Sequence, residues 1–303
     1  MNSFLDDFKL AFKTGNVLNQ IIIVNAVLFL AVAIVGVFFT FGGQRDSFEV
    51  FTSYLMLPSS VDTLLTQPWT IITYFFFHKG FMHILFNMLY MHWFGRIISE
   101  YLGQNKLLGL YVWGGIGGGI LYLLAYNFLP YFEHQVGGSY LLGASGGVVA
   151  IVVGAATFQP NYAIHLLFLG PVRLKYIAAF TVLVSFIQST GANAGGEIAH
   201  LGGALVGFVS IKQLQQGSDW SRPVVSVISW VKSLFKPQPK IKVSYKNTKT
   251  TSSRTTSRTK ARTETKSKNA QEEIDAILDK ISEKGYDALS KEEKQKLFNA
   301  SKD

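Results

Sequence analysis

A serine and a histidine stand at the ends of two long apolar runs in this chain. Ser145 lies in a Gly-Ala-Ser-Gly string (143–146), and His200 lies in an Ala-His-Leu-Gly-Gly string (199–203). Polar groups next to hydrocarbon are costly and usually mark functional sites. A serine hydroxyl becomes a nucleophile when a base takes its proton, and histidine is such a base near neutral pH. The two strings therefore predict a nucleophile and its base on two membrane helices.

His83 and Asn87 add two polar side chains in a third apolar segment. Their spacing of four residues puts both on one face of a helix. Attack of a serine on a carbonyl carbon creates an oxyanion, which needs hydrogen-bond donors already in place. The Asn87 amide, the His83 ring and the Ser145 backbone N–H are donors of this kind. A lone asparagine in a membrane helix more often joins helices, but polar groups from three segments at one depth favour a catalytic site.

No aspartate is placed as the usual third member of a serine–histidine–acid triad. Asp62 belongs to a long connection, whereas Glu197 lies one turn before His200. The sequence therefore favours a serine–histidine dyad, with Glu197 as the alternative group for orienting the histidine.

The chain is apolar enough for several membrane spans. It has 303 residues, of which 49% are hydrophobic and 16% are charged, and its mean hydropathy is +0.25. About 20 apolar residues cross a bilayer. We predict an all-α polytopic membrane protein in which residues 42–79 form a long loop and six segments span the bilayer: 18–41, 80–101, 106–128, 140–158, 172–190 and 197–215.

Charged residues in the loops predict the orientation. The loops after the second and fourth segments carry Arg96, Lys106, Arg173 and Lys175, whereas 191–196 is uncharged. Because positively charged loops stay in the cytoplasm, both termini are predicted to be cytoplasmic and the Ser145 end of the bundle extracytoplasmic. The glycine-rich loop 189–196 is a candidate mobile cap, with the fifth span as a gate.

Small residues recur at intervals of four in the fourth and sixth segments. Such faces let membrane helices approach closely, and tight packing is the favoured explanation for most of these glycines. Glycines beside Ser145 also let a substrate backbone come near the hydroxyl. The residues concerned are Gly143, Gly146, Ala150, Gly154, Gly203 and Gly207.

The composition changes after the last span, so that three domains are predicted: 1–216, 217–268 and 269–303. Between Arg222 and Lys268 there are 13 lysines and arginines against one acid, Glu264. Such a stretch buries too little apolar surface to fold, so 217–268 is predicted to be a disordered linker beside anionic lipid headgroups. Apolar spacing in 274–281, Gly285 as a C-terminal cap and a Ser290–Glu293 capping box predict that 269–303 is a soluble helical hairpin.

Several classes of function are disfavoured. No nucleic-acid-binding motif accompanies the basic stretch. The chain has no cysteine, and the absence of a His-Glu-x-x-His motif disfavours a zinc protease. A transporter predicts inverted repeats and buried charges, which the sequence does not display.

The three motifs together resemble the rhomboid family of intramembrane serine proteases, over residues 15–215. The motifs are His83-x-x-x-Asn87, Gly143-Ala144-Ser145-Gly146 and Ala199-His200-x-x-Gly203-x-x-x-Gly207, in this order on spans two, four and six. Phe75–His78 and Glu100–Gly103 also look like the family. The terminal hairpin is similar to an appendage of some bacterial rhomboids, which implies a bacterial inner-membrane protein.

The resemblance implies an enzyme that cuts transmembrane protein substrates near their extracytoplasmic ends, without a cofactor or a metal. It implies that Ser145 is the nucleophile, that His200 is the base, and that His83 and Asn87 stabilise the oxyanion, with Gly143, Gly146 and Gly203 in support. A catalytically silent rhomboid-like protein that only binds transmembrane segments is the alternative. Many members place a ring four residues after the serine, against the histidine; Val149 stands there in this chain, so that His200 is expected to be held less firmly or by another aromatic.

Overall fold

The computed structural model describes residues 16–166, 170–234, 275–282 and 288–300. The chain divides into two units, Met1–Pro237 and Gln238–Asp303. The helices of the first unit are α1 (Val17–Phe41), α2 (Arg45–Ser53), α3 (Val61–Thr66), α4 (Thr70–Thr73), α5 (Phe81–Tyr101), α6 (Gln104–Phe128), α7 (Ser145–Phe158), α8 (Leu174–Gln188), α9 (Ala194–Gln215) and α10 (Ser221–Leu234).

Helices α1, α5, α6, α7, α8 and α9 fall on the six predicted segments, and the all-α architecture is confirmed. Among the described residues, α1, α6 and α9 are long and apolar enough to cross a membrane by themselves, while α7 and α8 are apolar but shorter. Helix α5 has 21 residues, but its histidines, Asn87 and a terminal Arg96–Glu100 ion pair make it less apolar.

The strands are short. β1 (Leu57–Pro58) pairs antiparallel with β2 (Tyr140–Leu141), and β3 (Ala163–Leu166) pairs antiparallel with β4 (Gly170–Arg173). The first pair corrects the predicted fourth span, because 140–144 is not helical and the helix begins only at Ser145. The 14 residues of α7 rise about 21 Å, less than the roughly 30 Å hydrocarbon core. Non-helical backbone at this depth is tolerated because protein surrounds it: Leu141 and Ala144 are buried.

Helix α7 lies at the centre of the bundle, packed between α6 and α9. Residues Gly146 to Ala156 along it are all buried. A Cβ atom added at Gly203 would overlap the Gly146 carbonyl, and one at Gly207 would overlap the Ala150 carbonyl. The small-residue faces predicted from the sequence therefore bring α7 and α9 into backbone contact, which fixes the relative depth of their first turns.

The connection between α1 and α5 is more ordered than the predicted loop 42–79. It contains α2, β1, α3, α4 and a 3₁₀ turn at Tyr74–Phe76. Ser60 caps α3 by accepting a hydrogen bond from the Thr63 N–H. Phe51 of α2 stacks on Phe39 of α1, and Phe48 packs against the same ring at a tilt. The aromatic residues thus pack the connection against the bundle.

The prediction that 217–268 is a disordered linker is wrong for residues 221–234, which form helix α10. The Ser221 backbone packs where Gly109 of α6 leaves room. Asp219, just before the helix, is mostly buried. Its carboxylate forms an ion pair with Nζ of Lys106 at 2.6 Å. Burial alone raises the pKa of Asp219, but hydrogen bonds from Lys106 and Ser221 outweigh it and lower that pKa to about 2. The remainder of the predicted linker, 235–268, lies outside the described residues.

The second unit contains a helical segment, α11 (275–282), and α12 (Lys291–Ala300). The predicted capping box is present: the Ser290 N–H donates to the Glu293 carboxylate at 2.7 Å, and the Glu293 N–H donates to the Ser290 hydroxyl at 3.3 Å. Lys280 joins α11 to Glu293 at 2.8 Å. The predicted cap Gly285 lies outside the described residues.

Candidate active site

One pocket of about 530 Å³ gathers the candidate residues from the three motifs. His83 and Asn87 enter from α5, Ser145 from α7 and His200 from α9. Residues of α8 complete the wall, among them Phe180 and Val184. The fold thus brings together every side chain that the sequence singled out for chemistry.

The position of Ser145 is set by the extended segment that precedes it. The Gly143 N–H donates to the Tyr74 carbonyl at 3.0 Å, and the Ala144 N–H donates to Nε2 of His78 at 3.2 Å. Helix α7 then begins at Ser145, so that its N–H has no acceptor within the helix and the positive end of the helix dipole is next to the hydroxyl. This is the environment expected for a serine beside a developing negative charge.

Position 143 needs a glycine for two reasons, its backbone conformation and the closeness of the His83 ring. Its φ of 116° lies in the region that side chains rarely adopt. A Cβ atom there would come within 2.7 Å of Cε1 of the His83 ring. The glycine therefore lets the His83 ring pack directly on the backbone that leads to Ser145.

Asn87 is buried, and its amide donates a 2.8 Å hydrogen bond to the His83 carbonyl one turn earlier. A carboxamide has two N–H donors, so this bond fixes the side chain and leaves one N–H in a residue that lines the pocket. His83 in turn packs edge-on against His78, with ring centroids 5.0 Å apart. These contacts hold the first turn of α5 against the Ser145 segment.

His200 is held through Nδ1. Glu197 Oε2 lies 3.1 Å from Nδ1, and so does Ser185 Oγ of α8. Val149, where a ring was expected, lines the same pocket. Within the described residues no hydrogen bond of 3.5 Å or less joins the Ser145 hydroxyl to His200, and such bonds commonly tighten only when substrate binds.

His78 has a larger part in the site than the sequence indicated. Its side chain is 1% exposed, lies outside the spanning helices and accepts from the residue before Ser145. Burial, and then the neighbouring His83 ring, lower the pKa of His78 to about 4. His78 is therefore neutral at physiological pH, as an acceptor must be.

Ser185 is the site residue that sequence reasoning missed. The signal was present, because a serine within the apolar run of α8 is a polar group in a spanning segment. Its partner lies on a different helix, and no spacing along the chain relates the two.

The part of the chain that builds this pocket matches a known protein family. The model of the Rhomboid domain matches residues 65–215, which is about half of the chain and includes Ser145, His200, His83 and Asn87.

The chain belongs to the rhomboid family. It is 27% identical over 166 residues to the rhomboid protease GlpG of Haemophilus influenzae, an alignment that covers 55% of this chain and 80% of that protein. It is 30% identical over 157 residues to the mitochondrial RHOMBOID-like protein 12 of Arabidopsis thaliana, covering 49% of this chain and 47% of the relative. It is also 33% identical over 148 residues to the mitochondrial Rhomboid protein 1 of Saccharomyces cerevisiae, covering 48% and 41%.

The rhomboid chain spans about half the length of the Arabidopsis and yeast relatives, so that the resemblance concerns the helical bundle. The C-terminal residues 261–303 match a second model, that of a family of unknown function, DUF6576. The C-terminal segment is thus similar to a known family of sequences, but this match assigns it no function.

Proposed function

We propose that this rhomboid is an intramembrane serine endopeptidase that uses Ser145 and His200 as a catalytic dyad. The observation that carries the proposal is the shared pocket, in which a serine at a helix N-terminus faces the same 530 Å³ space as a histidine held through one ring nitrogen. Relatives that are named rhomboid proteases support the reaction class.

The reaction follows from the roles of these groups. With Nδ1 engaged by Glu197 and Ser185, Nε2 of His200 is the nitrogen that takes the Ser145 proton as the hydroxyl oxygen attacks the scissile carbonyl. The resulting oxyanion is stabilised by the Ser145 N–H, the Asn87 amide and the His83 ring. The imidazolium returns the proton to the leaving amine, and water then hydrolyses the acyl-enzyme with His200 again as base.

The proposed substrates are transmembrane segments of other proteins, cut near their extracytoplasmic ends. The pocket is lined from α5 by Met82 and Phe86 and from α8 by Phe180 and Val184. Phe86 and Phe180 are exposed on the outside of the bundle, where lipid surrounds a membrane protein. A substrate helix therefore has an apolar route into the pocket between α5 and α8, which agrees with α8 as a gate.

The loop charges support a proposed orientation in the membrane. We propose a bacterial inner-membrane protein with both termini in the cytoplasm and with the basic segment 222–268 next to anionic headgroups. Reporter fusions at either terminus and in the connection 189–193, between α8 and α9, test this topology.

Cleavage of a model transmembrane substrate by the purified protein tests the function. The wild type is expected to cut it, whereas Ser145→Ala and His200→Ala are expected to leave it intact. Substrate that binds to the wild type and is never cut would instead favour the catalytically silent alternative. Full cleavage by Ser145→Ala would overturn the assignment of the nucleophile.

A further inference from the structure

We propose that Glu197, together with Ser185, is a positioning residue that orients His200 and fixes its tautomer within the serine–histidine dyad. The inference rests on the proposed protease function and deepens it, since a dyad alone leaves the orientation of the imidazole unexplained. It starts from the two 3.1 Å contacts that converge on one atom, His200 Nδ1.

The chemistry of the three groups assigns the protons. A carboxylate only accepts hydrogen bonds, so the 3.1 Å contact between Glu197 and Nδ1 requires the proton on Nδ1. The neutral ring then has its lone pair on Nε2, which is the tautomer that accepts a proton from Ser145. When that proton arrives, the ring becomes an imidazolium beside a carboxylate, and Glu197 remains ionised throughout.

The carboxylate is itself held in place. The side chain of Glu197 is 12% exposed, against 20% for His200. Ser185 and Asn193 are polar neighbours of the Glu197 carboxylate. Low exposure weakens screening by water, so that a charge at this position acts on the imidazolium more strongly than a surface acid would.

The neighbouring elements offer no competing acid among the described residues that line the pocket. The titratable side chains there are His83 and Tyr90 on α5 and Glu197 and His200 on α9. Helix α7 contributes Ser145 and valines, and α8 contributes Ser185 and uncharged residues. Glu197 is thus the one lining carboxylate placed to stabilise a positive charge on His200.

Val149 does not provide this support. The side chain is buried in the pocket wall, and a branched aliphatic group offers neither a stacking surface nor a hydrogen bond to the imidazole. Glu197 provides orientation from within α9, at a spacing of three residues that places both side chains on one face. Ser185 adds a contact from α8, the proposed gate, so that the orientation of His200 depends on where α8 sits.

Steady-state cleavage by Glu197 variants tests the proposal. We expect Glu197→Gln and Glu197→Ala to lower kcat by at least about 10-fold with KM within about twofold, because the loss falls on the chemical step. Glutamine is nearly isosteric, but it lacks the charge and can donate to Nδ1 and fix the wrong tautomer. Glu197→Asp restores part of the rate, an effect that a merely structural role would not produce. The matched control is Glu100→Gln, which removes an exposed acid at the far end of α5 and should leave kcat unchanged.

The rate at which a fluorophosphonate labels Ser145 is a second test of the same proposal. Labelling needs the base but no substrate, and an unchanged melting temperature of Glu197→Gln shows that the bundle is intact. Wild-type kcat and labelling rate in both Glu197→Gln and Glu197→Ala would overturn the positioning role of Glu197 while leaving the dyad standing. A wild type that neither cleaves nor labels would overturn the proposed function and this inference with it.

Discussion

The backbone N–H of Ala144 donates a 3.2 Å hydrogen bond to Nε2 of His78. The bond connects a buried histidine outside the spanning helices to the residue that precedes Ser145. It requires neutral His78, because a protonated ring has no lone pair for the N–H. The position of the nucleophile therefore depends on the ionisation of His78.

Acid is expected to destabilise the protein through this histidine. Burial lowers the pKa of His78 to about 4, whereas an unfolded histidine titrates near 6.5. Between these values the unfolded chain binds a proton that the folded chain does not, so the free energy of unfolding falls as pH falls from about 6.5 to about 4. Thermal unfolding in detergent across this range measures the slope.

The controls for this slope are two glutamine variants. His78→Gln keeps an acceptor and removes the titration, so its melting temperature should depend less on pH than that of the wild type. His134→Gln changes an exposed histidine and should retain the wild-type slope. Equal slopes in His78→Gln and the wild type would contradict the assignment.

A series of three alanine variants separates backbone strain from the contact with His83. Gly143 has φ 116° and a neighbour at 2.7 Å, Gly137 has φ 88° in open space, and Gly138 has neither constraint. We expect Gly138→Ala to be neutral and Gly137→Ala to lose about 1 kcal/mol of stability. Gly143→Ala is expected to lose more stability and nearly all cleavage, because His83 must move. Cleavage at the wild-type rate by Gly143→Ala would show that the His83 contact is dispensable.

The Asp219–Lys106 pair is expected to stabilise the end of the bundle where α6 and α10 begin. Asp219 is 11% exposed and also accepts hydrogen bonds from Ser221. Asp219→Asn should lower the free energy of unfolding by about 1–3 kcal/mol, because a partly buried Lys106 loses its counter-charge. Glu100→Gln breaks an exposed ion pair with Arg96 and should cost much less stability, because water screens that pair. Equal losses in the two variants would argue against burial as the source of the difference.

Two truncations test the division of the chain. Ending the protein at residue 237 keeps α10 and Asp219, so we expect cleavage and melting temperature close to those of the full chain. Ending it at residue 217 removes both, and the melting temperature should fall by several degrees. If the protein that ends at residue 237 also loses activity, the second unit contributes to catalysis.

Much of this fold was accessible from sequence because the apolar runs and the small-residue spacing act locally. The six segments, the small-residue faces of α7 and α9 and the Ser290–Glu293 box depend on residues a few positions apart. The pairing of β1 with β2 joins Leu57 to Leu141, and no local pattern encodes it. That pairing shortened the predicted fourth span.

The candidate site was predicted unevenly for the same reason. Ser145, His200, His83 and Asn87 stood out as polar groups at the ends of apolar runs, and the pocket brings them together. The Glu197 contact was accessible as a spacing of three within α9, although a dyad was favoured. Ser185 and the buried role of His78 depend on contacts between distant segments, which composition and periodicity do not reveal.

The most direct measurement of the central claim is the site and rate of covalent labelling by a fluorophosphonate. Ser145 is proposed to be activated by His200, so mass spectrometry of the labelled wild type should find the adduct on Ser145. His200→Ala should label at least about 100-fold more slowly, and Ser145→Ala should not label. An adduct on another serine, or wild-type labelling of Ser145 in the His200→Ala protein, would contradict the account.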